Sequence, residues 1–108
     1  GGARFSINFM CGPSFDHDDI AFSFDVRFNY GKYRNQVHRS NKVGGKWATS
    51  EKHQSYFPFS QDVPFEVVVS VEDYGFKVEV NRQHFLEYQH KVYPVQRITH
   101  FCVLGDVR

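Results

Sequence analysis

The segment Ile20–Asn29 alternates without a break: Ile20, Phe22, Phe24, Val26 and Phe28 fall on one side of an extended chain, and Ala21, Ser23, Asp25 and Arg27 on the other. A strand with one dry and one polar face must lay the dry face on a partner layer. The rest of the chain follows the same period. Arg4–Cys11 puts Phe5, Ile7 and Phe9 on one face, and Gly12-Pro13-Ser14 ends it. After a Tyr30–Asn35 turn carrying Gly31, polar strands are expected at Gln36–Lys42 and Glu51–Tyr56, joined through Val43-Gly44-Gly45-Lys46 and Trp47. Further strands are expected at Phe65–Val71, Phe76–Val80, His84–Gln89 and Ile98–Leu104, with Asp73-Tyr74-Gly75 and Asn81-Arg82 as turns.

No stretch sustains apolar residues at helical spacing, so the fold class is all-β, an antiparallel sandwich or barrel. The chain has 108 residues, the size of one domain, and 12 Phe with 6 Tyr supply a packed core. Thirteen Lys+Arg against twelve Asp+Glu give +1, with the signs interleaved, which argues against nucleic acid as a partner. No apolar run is long enough to span a bilayer. Cys11 and Cys102 match no metal or redox spacing and read as reduced thiols.

The polar faces of neighbouring strands are where a ligand would sit. Ser23, Asp25 and Arg27 come from one strand, His38 and Ser40 from the next, and Glu51 and His53 from a third entered at Trp47. An indole beside Arg, Asp, Glu, His and Ser suits a sugar, whose C–H face stacks on the ring while its hydroxyls take paired donors and acceptors. The alternative readings are a surface ion pair of Arg27 with Glu51 and a half-buried core edge at Trp47.

Arg4-Phe5-Ser6-Ile7-Asn8-Phe9, Asp19-Ile20-Ala21-Phe22, Arg27-Phe28, Phe57-Pro58-Phe59, Pro64-Phe65, Phe76-Lys77-Val78, Val80-Asn81 and Gly105-Asp106-Val107 together resemble a galectin carbohydrate-recognition domain over almost the whole chain. The resemblance implies a two-sheet antiparallel jelly-roll sandwich of the concanavalin-like lectin class, binding β-galactosides on a concave sheet. It also carries a divergent sugar motif. The family's His-x-Asn-Pro-Arg is Ser23-Phe24-Asp25-Val26-Arg27 here, and Ser40 takes the place of the next strand's Asn, with Asn41 one step beyond. Trp47 is kept, but Ala48 follows it in place of Gly. Aligning on Gln54-Ser55 and Phe57-Pro58-Phe59 puts Glu51 and His53 at the family's Glu and second Arg, whereas an ungapped reading puts Ser50 and Lys52 there. Each lost hydrogen bond to the sugar costs about 0.5–3 kcal/mol, and about 1.4 kcal/mol is tenfold in affinity, so weakened or altered galactoside binding is expected. An Asp25–Arg27 ion pair would compete for the groove.

The expected partners are glycans or glycoproteins, with a homodimer or tandem lectin domain as further options. The alternative is a galectin-fold protein-interaction module that has given up sugar. A glycosidase would need its carboxylate pair, Asp25 and Glu51, in a setting that raises one pKa, and neighbouring cations do the opposite. Asp16-His17-Asp18-Asp19 reads as a solvated turn, not a metal site, and no cofactor is expected. Compared with galectins, the outermost N- and C-terminal strands are expected to be lacking from residues 1–108. The family implies a cytoplasmic protein, exported, where it is exported, without a signal peptide.

Overall fold

A computed structural model describes residues 3–105. Eight strands form two antiparallel sheets. In chain order they are β1 (Arg4–Met10), β2 (Ile20–Tyr30), β3 (Tyr33–Val43), β4 (Lys46–Trp47), β5 (Val67–Val71), β6 (Gly75–Val80), β7 (Gln83–Gln89) and β8 (His100–Gly105), with a 3-10 turn at Val95–Arg97 before the last. One sheet is ordered β4-β3-β2-β1-β8 and the other β5-β6-β7, so the fold is a β-sandwich.

Between the sheets lies an aromatic core. Phe22 is fully buried, with ring centroids 4.6 Å from Phe76, 5.0 Å from Tyr88 and 5.9 Å from Phe9. A second group forms around Phe59, which meets Phe5, Phe24, Phe65 and Phe85 edge-on at 5.1–6.3 Å. Edge-to-face pairs of this kind add to the burial of area. On β8, Phe101 and Val103 pair with Phe9 and Ile7 but stay 61% and 50% exposed.

Two departures from the sequence expectation shape the outer face of the five-stranded sheet. A β-bulge between Ile20 and Ser23 shifts the register, so that Ala21 joins the inter-sheet core while Ile20 pairs with Met10 and Lys42 outside it. The extra residue reverses which side of the strand follows, correcting the expected placement of Ile20 beside Phe22. Second, the Glu51–Tyr56 strand does not form: β4 is only Lys46–Trp47, and Glu51 makes an isolated bridge with Arg39. Side chains replace the missing ladder. Gln54 Oε1 accepts the Val37 N–H at 2.7 Å, Gln54 Nε2 donates to the Asn35 carbonyl at 2.9 Å, and the Arg39 guanidinium donates to the His53 carbonyl at 2.6 Å. The β3–β4 hairpin closes through Gly44 and Gly45, both at positive φ (59° and 79°), the pair of left-handed residues a two-residue hairpin loop requires.

Candidate functional site

Cross-strand register builds the outer face of the five-stranded sheet in rows. Ser6, Asp25 and His38 lie opposite one another on β1, β2 and β3, as do Asn8, Ser23 and Ser40, and Arg4 with Arg27. Apart from the buried Asn8, these residues floor a groove of about 330 Å³. Its walls are Trp47 from β4, Phe15 from the loop between β1 and β2, and Ser50.

The groove is polar yet largely withdrawn from water: Ser23, Asp25, His38 and Ser40 are each 5–7% exposed. Buried polar groups need partners, and most of these have one. The Asp25 carboxylate sits between two guanidiniums. Arg27 Nε and a terminal nitrogen reach it at 2.9 and 2.8 Å, and Arg4 contacts both its oxygens at 3.2 Å. His38 Nε2 is 2.9 Å from Gln36 Oε1, and its ring meets Tyr33 edge-on at 4.5 Å. Burial first, and then the charge of Arg27, push the imidazole down to about 4, so His38 is neutral at neutral pH. Ser40 Oγ donates to the Ala48 carbonyl at 2.8 Å, which ties β3 to the segment following Trp47.

At the opposite end Trp47 is 47% exposed, and its ring lies 6.0 Å from that of Phe15. Lys42 Nζ stands 5.3 Å from the Phe15 ring and 5.7 Å from that of Trp47, donating to the carbonyls of Phe15 at 2.5 Å and Asp16 at 3.3 Å. Loop acids are occupied within the fold. Asp18 accepts the Ser14 N–H at 2.8 Å, and Asp19 accepts the Gly44 N–H at 3.0 Å and Arg97 at 2.7 Å.

Of the residues expected at the site, Ser23, Asp25, Arg27, His38, Ser40 and Trp47 come together around this groove. Glu51 and His53 do not line it. Glu51 turns away to Lys91 Nζ at 3.0 Å, and His53 is exposed, with its carbonyl on Arg39. The expected flanking carboxylates, Asp25 and Glu51, therefore do not face each other across the groove. Ser50 takes the place along the wall, as the ungapped reading would have it. Arg4, Ser6 and Phe15 were not anticipated. Arg4 and Ser6 carry a signal, since they alternate with Phe5 and Ile7 on β1, whereas Phe15 lies in a loop without periodicity.

This arrangement can stack a flat apolar ligand face on Trp47 and offer hydroxyls, an imidazole and the uncommitted N–H groups of Arg27 to polar substituents. Comparison with known proteins points the same way. Galectin-3 from Cricetulus longicaudatus is 36% identical over 104 residues, covering 96% of this chain and 40% of its own length. Galectin-4 from Homo sapiens is 37% identical over 105 residues, covering 97% of this chain and 31% of its own length. The chain thus spans less than half of either relative. A sheep galectin-11 structure, solved as a complex with glycerol, superposes with a TM-score of 0.82 at 23% identity, covering 98% of this chain and 71% of that one. The family described as galactoside-binding lectin matches residues 1–108. Fold, sequence and the Trp47 groove agree: the chain belongs to the galactoside-binding lectin family.

Proposed function

We propose that this chain is the carbohydrate-binding domain of a lectin that takes β-galactoside-type glycans in the Trp47 groove, with a weakened grip on the galactose ring. The observation that carries the reading is the Asp25 carboxylate held by both Arg4 and Arg27 in a groove walled by a half-exposed indole. Trp47 offers the stacking surface. Arg27 remains beside the place where a ring on Trp47 would extend, but Asp25 already accepts from its Nε and a terminal nitrogen. A sugar hydroxyl must share that guanidinium with a carboxylate, and the short Ser23 side chain offers a hydroxyl where the family carries an imidazole. Binding, not catalysis, is the role this reading assigns to the groove.

Lactose titrated against the protein and followed by Trp47 fluorescence, with glucose as control, tests it. The expected result is saturable binding in the millimolar range for lactose alone. Ser23→His combined with Asp25→Asn, which restores the family's residue types, should tighten it by about tenfold, one to two hydrogen bonds' worth. No response from either protein sinks the lectin reading. In that case the protein-interaction module takes its place.

A further inference from the structure

Cations gather at the Arg27 end of the groove out of proportion to the anions there. Tyr33, which opens β3, is faced by Arg27 at 4.9 Å, Lys32 at 5.5 Å and Lys52 at 5.7 Å from its ring centroid. Tyr30, at the end of β2, is faced by Arg4 at 4.7 Å and Arg27 at 5.5 Å. Among the described residues the carboxylate that meets this group is Asp25, and both its oxygens are engaged by Arg4 and Arg27. The other acids paired with Lys or Arg among the described residues spend their charge elsewhere: Glu51 on Lys91, Asp19 on Arg97, Glu79 on Lys77 and Glu66 on Arg82. No carboxylate among the described residues lies within 4.0 Å of the Lys32 or Lys52 ammonium. His38, on the groove floor between these groups, registers the imbalance. After burial, the charges of Arg27, Lys52 and Arg39 hold its imidazole down and Asp25 alone opposes them.

We propose that this end of the groove is an anion subsite, and that the preferred ligand is a galactoside-type glycan bearing a sulfate ester or a carboxylate. The inference rests on the glycan-binding reading and sharpens its substrate class. A neutral ring on Trp47 meets an Arg27 already committed to Asp25. An anionic substituent reaching past it enters a field set by Arg27, Lys32 and Lys52, with the Tyr33 ring holding the three cations together. Charge-assisted contacts there replace the neutral hydrogen bonds lost at Ser23 and Asp25.

Calorimetric titration with lactose, lactose sulfated on its galactose, and sialylated lactose tests this at low and high salt, using the native protein and a Lys32→Gln/Lys52→Gln variant. Both lysines are exposed, so the variant should keep its fold, and because the ungapped reading puts Lys52 at the family's second Arg, the advantage is read as the ratio of charged-ligand to lactose affinity within each protein. At least one charged ligand should bind about three- to tenfold tighter than lactose at low salt. That advantage should vanish in the variant and shrink at high salt. The sulfated and sialylated arms show which anion the subsite takes. Equal affinity for charged and neutral sugars, or an advantage that survives in the variant, overturns the inference and leaves the lectin reading standing. Failure of all three ligands overturns both.

Discussion

Strands β2 and β3 lie side by side, each 11 residues long, and are hidden from water over most of their length by opposite kinds of residue. β2 sends Phe22, Phe24 and Val26 into the inter-sheet core. On the same side, β3 offers Val37, Arg39 and Asn41, the latter two only 5% and 7% exposed. Here β3 is held by hydrogen bonds in place of apolar packing. Arg39 donates to the carbonyls of Val37 at 2.8 Å and His53 at 2.6 Å, and the Tyr88 hydroxyl donates to Asn41 Oδ1 at 2.9 Å. The sandwich is therefore apolar at its centre and polar at the rim beside the groove. Burial means different physics on the two strands: area removed from water on β2, and satisfied donors and acceptors on β3.

The largest test of that contrast is Phe22→Ala. Removing a fully buried ring stacked between Phe76 and Tyr88 should cost about 3–5 kcal/mol in urea unfolding. A loss below about 1 kcal/mol would mean that the centre is not close-packed. Arg39→Ala strands two carbonyls and should cost about 2–3 kcal/mol, with faster exchange of the Glu51 amide, which bonds to the Arg39 carbonyl. Arg39→Met strands the same two carbonyls while refilling the side-chain volume, so it should cost nearly as much as Ala. Were Met to restore most of the stability lost in Ala, packing and not hydrogen bonding would be holding β3.

The groove side of β3 responds to pH. In the unfolded chain the His38 imidazole titrates near about 6.5, while in the fold burial and then Arg27 hold it to about 4. Between those values the unfolded state binds the extra proton. The contribution is therefore full above pH ~6.5, is lost as pH falls and levels off below the folded value, on the order of 3 kcal/mol in all. Urea midpoints measured across this range should lose that limb in His38→Gln, and an unchanged slope in the variant would place the titration elsewhere. The smallest effect belongs to Tyr88→Phe, which removes one hydroxyl from Asn41 and should cost about 1 kcal/mol. A cost no larger than that of an exposed Tyr74→Phe control would show the bond to be idle.

The same contrast explains what could be read from the residues alone. Alternation marks β2 and the Phe5, Ile7 and Phe9 side of β1 because water enforces a period of two on apolar side chains. It breaks at Ile20, where the bulge adds a residue that no residue type announces. It misleads over Glu51–Tyr56, since this segment meets β3 through one isolated bridge and the Gln54 and Arg39 side chains in place of a continuous backbone ladder. The groove residues on β2 and β3 follow from strand order, but Glu51 and His53 depend on the path of a loop, and a one-residue ambiguity there decides which side chain faces in. Alternation on β1 puts Arg4 and Ser6 on the polar face, but their place at the groove follows from register with Arg27 and Asp25, and that of Phe15 from the fold of its loop.

The most direct test is residue-resolved amide spectroscopy of the isotope-labelled protein during titration with lactose. The account predicts shifts concentrated at Arg27, Ser40, Trp47 and Ser50, with Glu51 and His53 moving less than Ser50 and the β5-β6-β7 sheet undisturbed. Shifts gathered on that sheet, or larger at Glu51 and His53 than at Arg27 and Ser50, would contradict it.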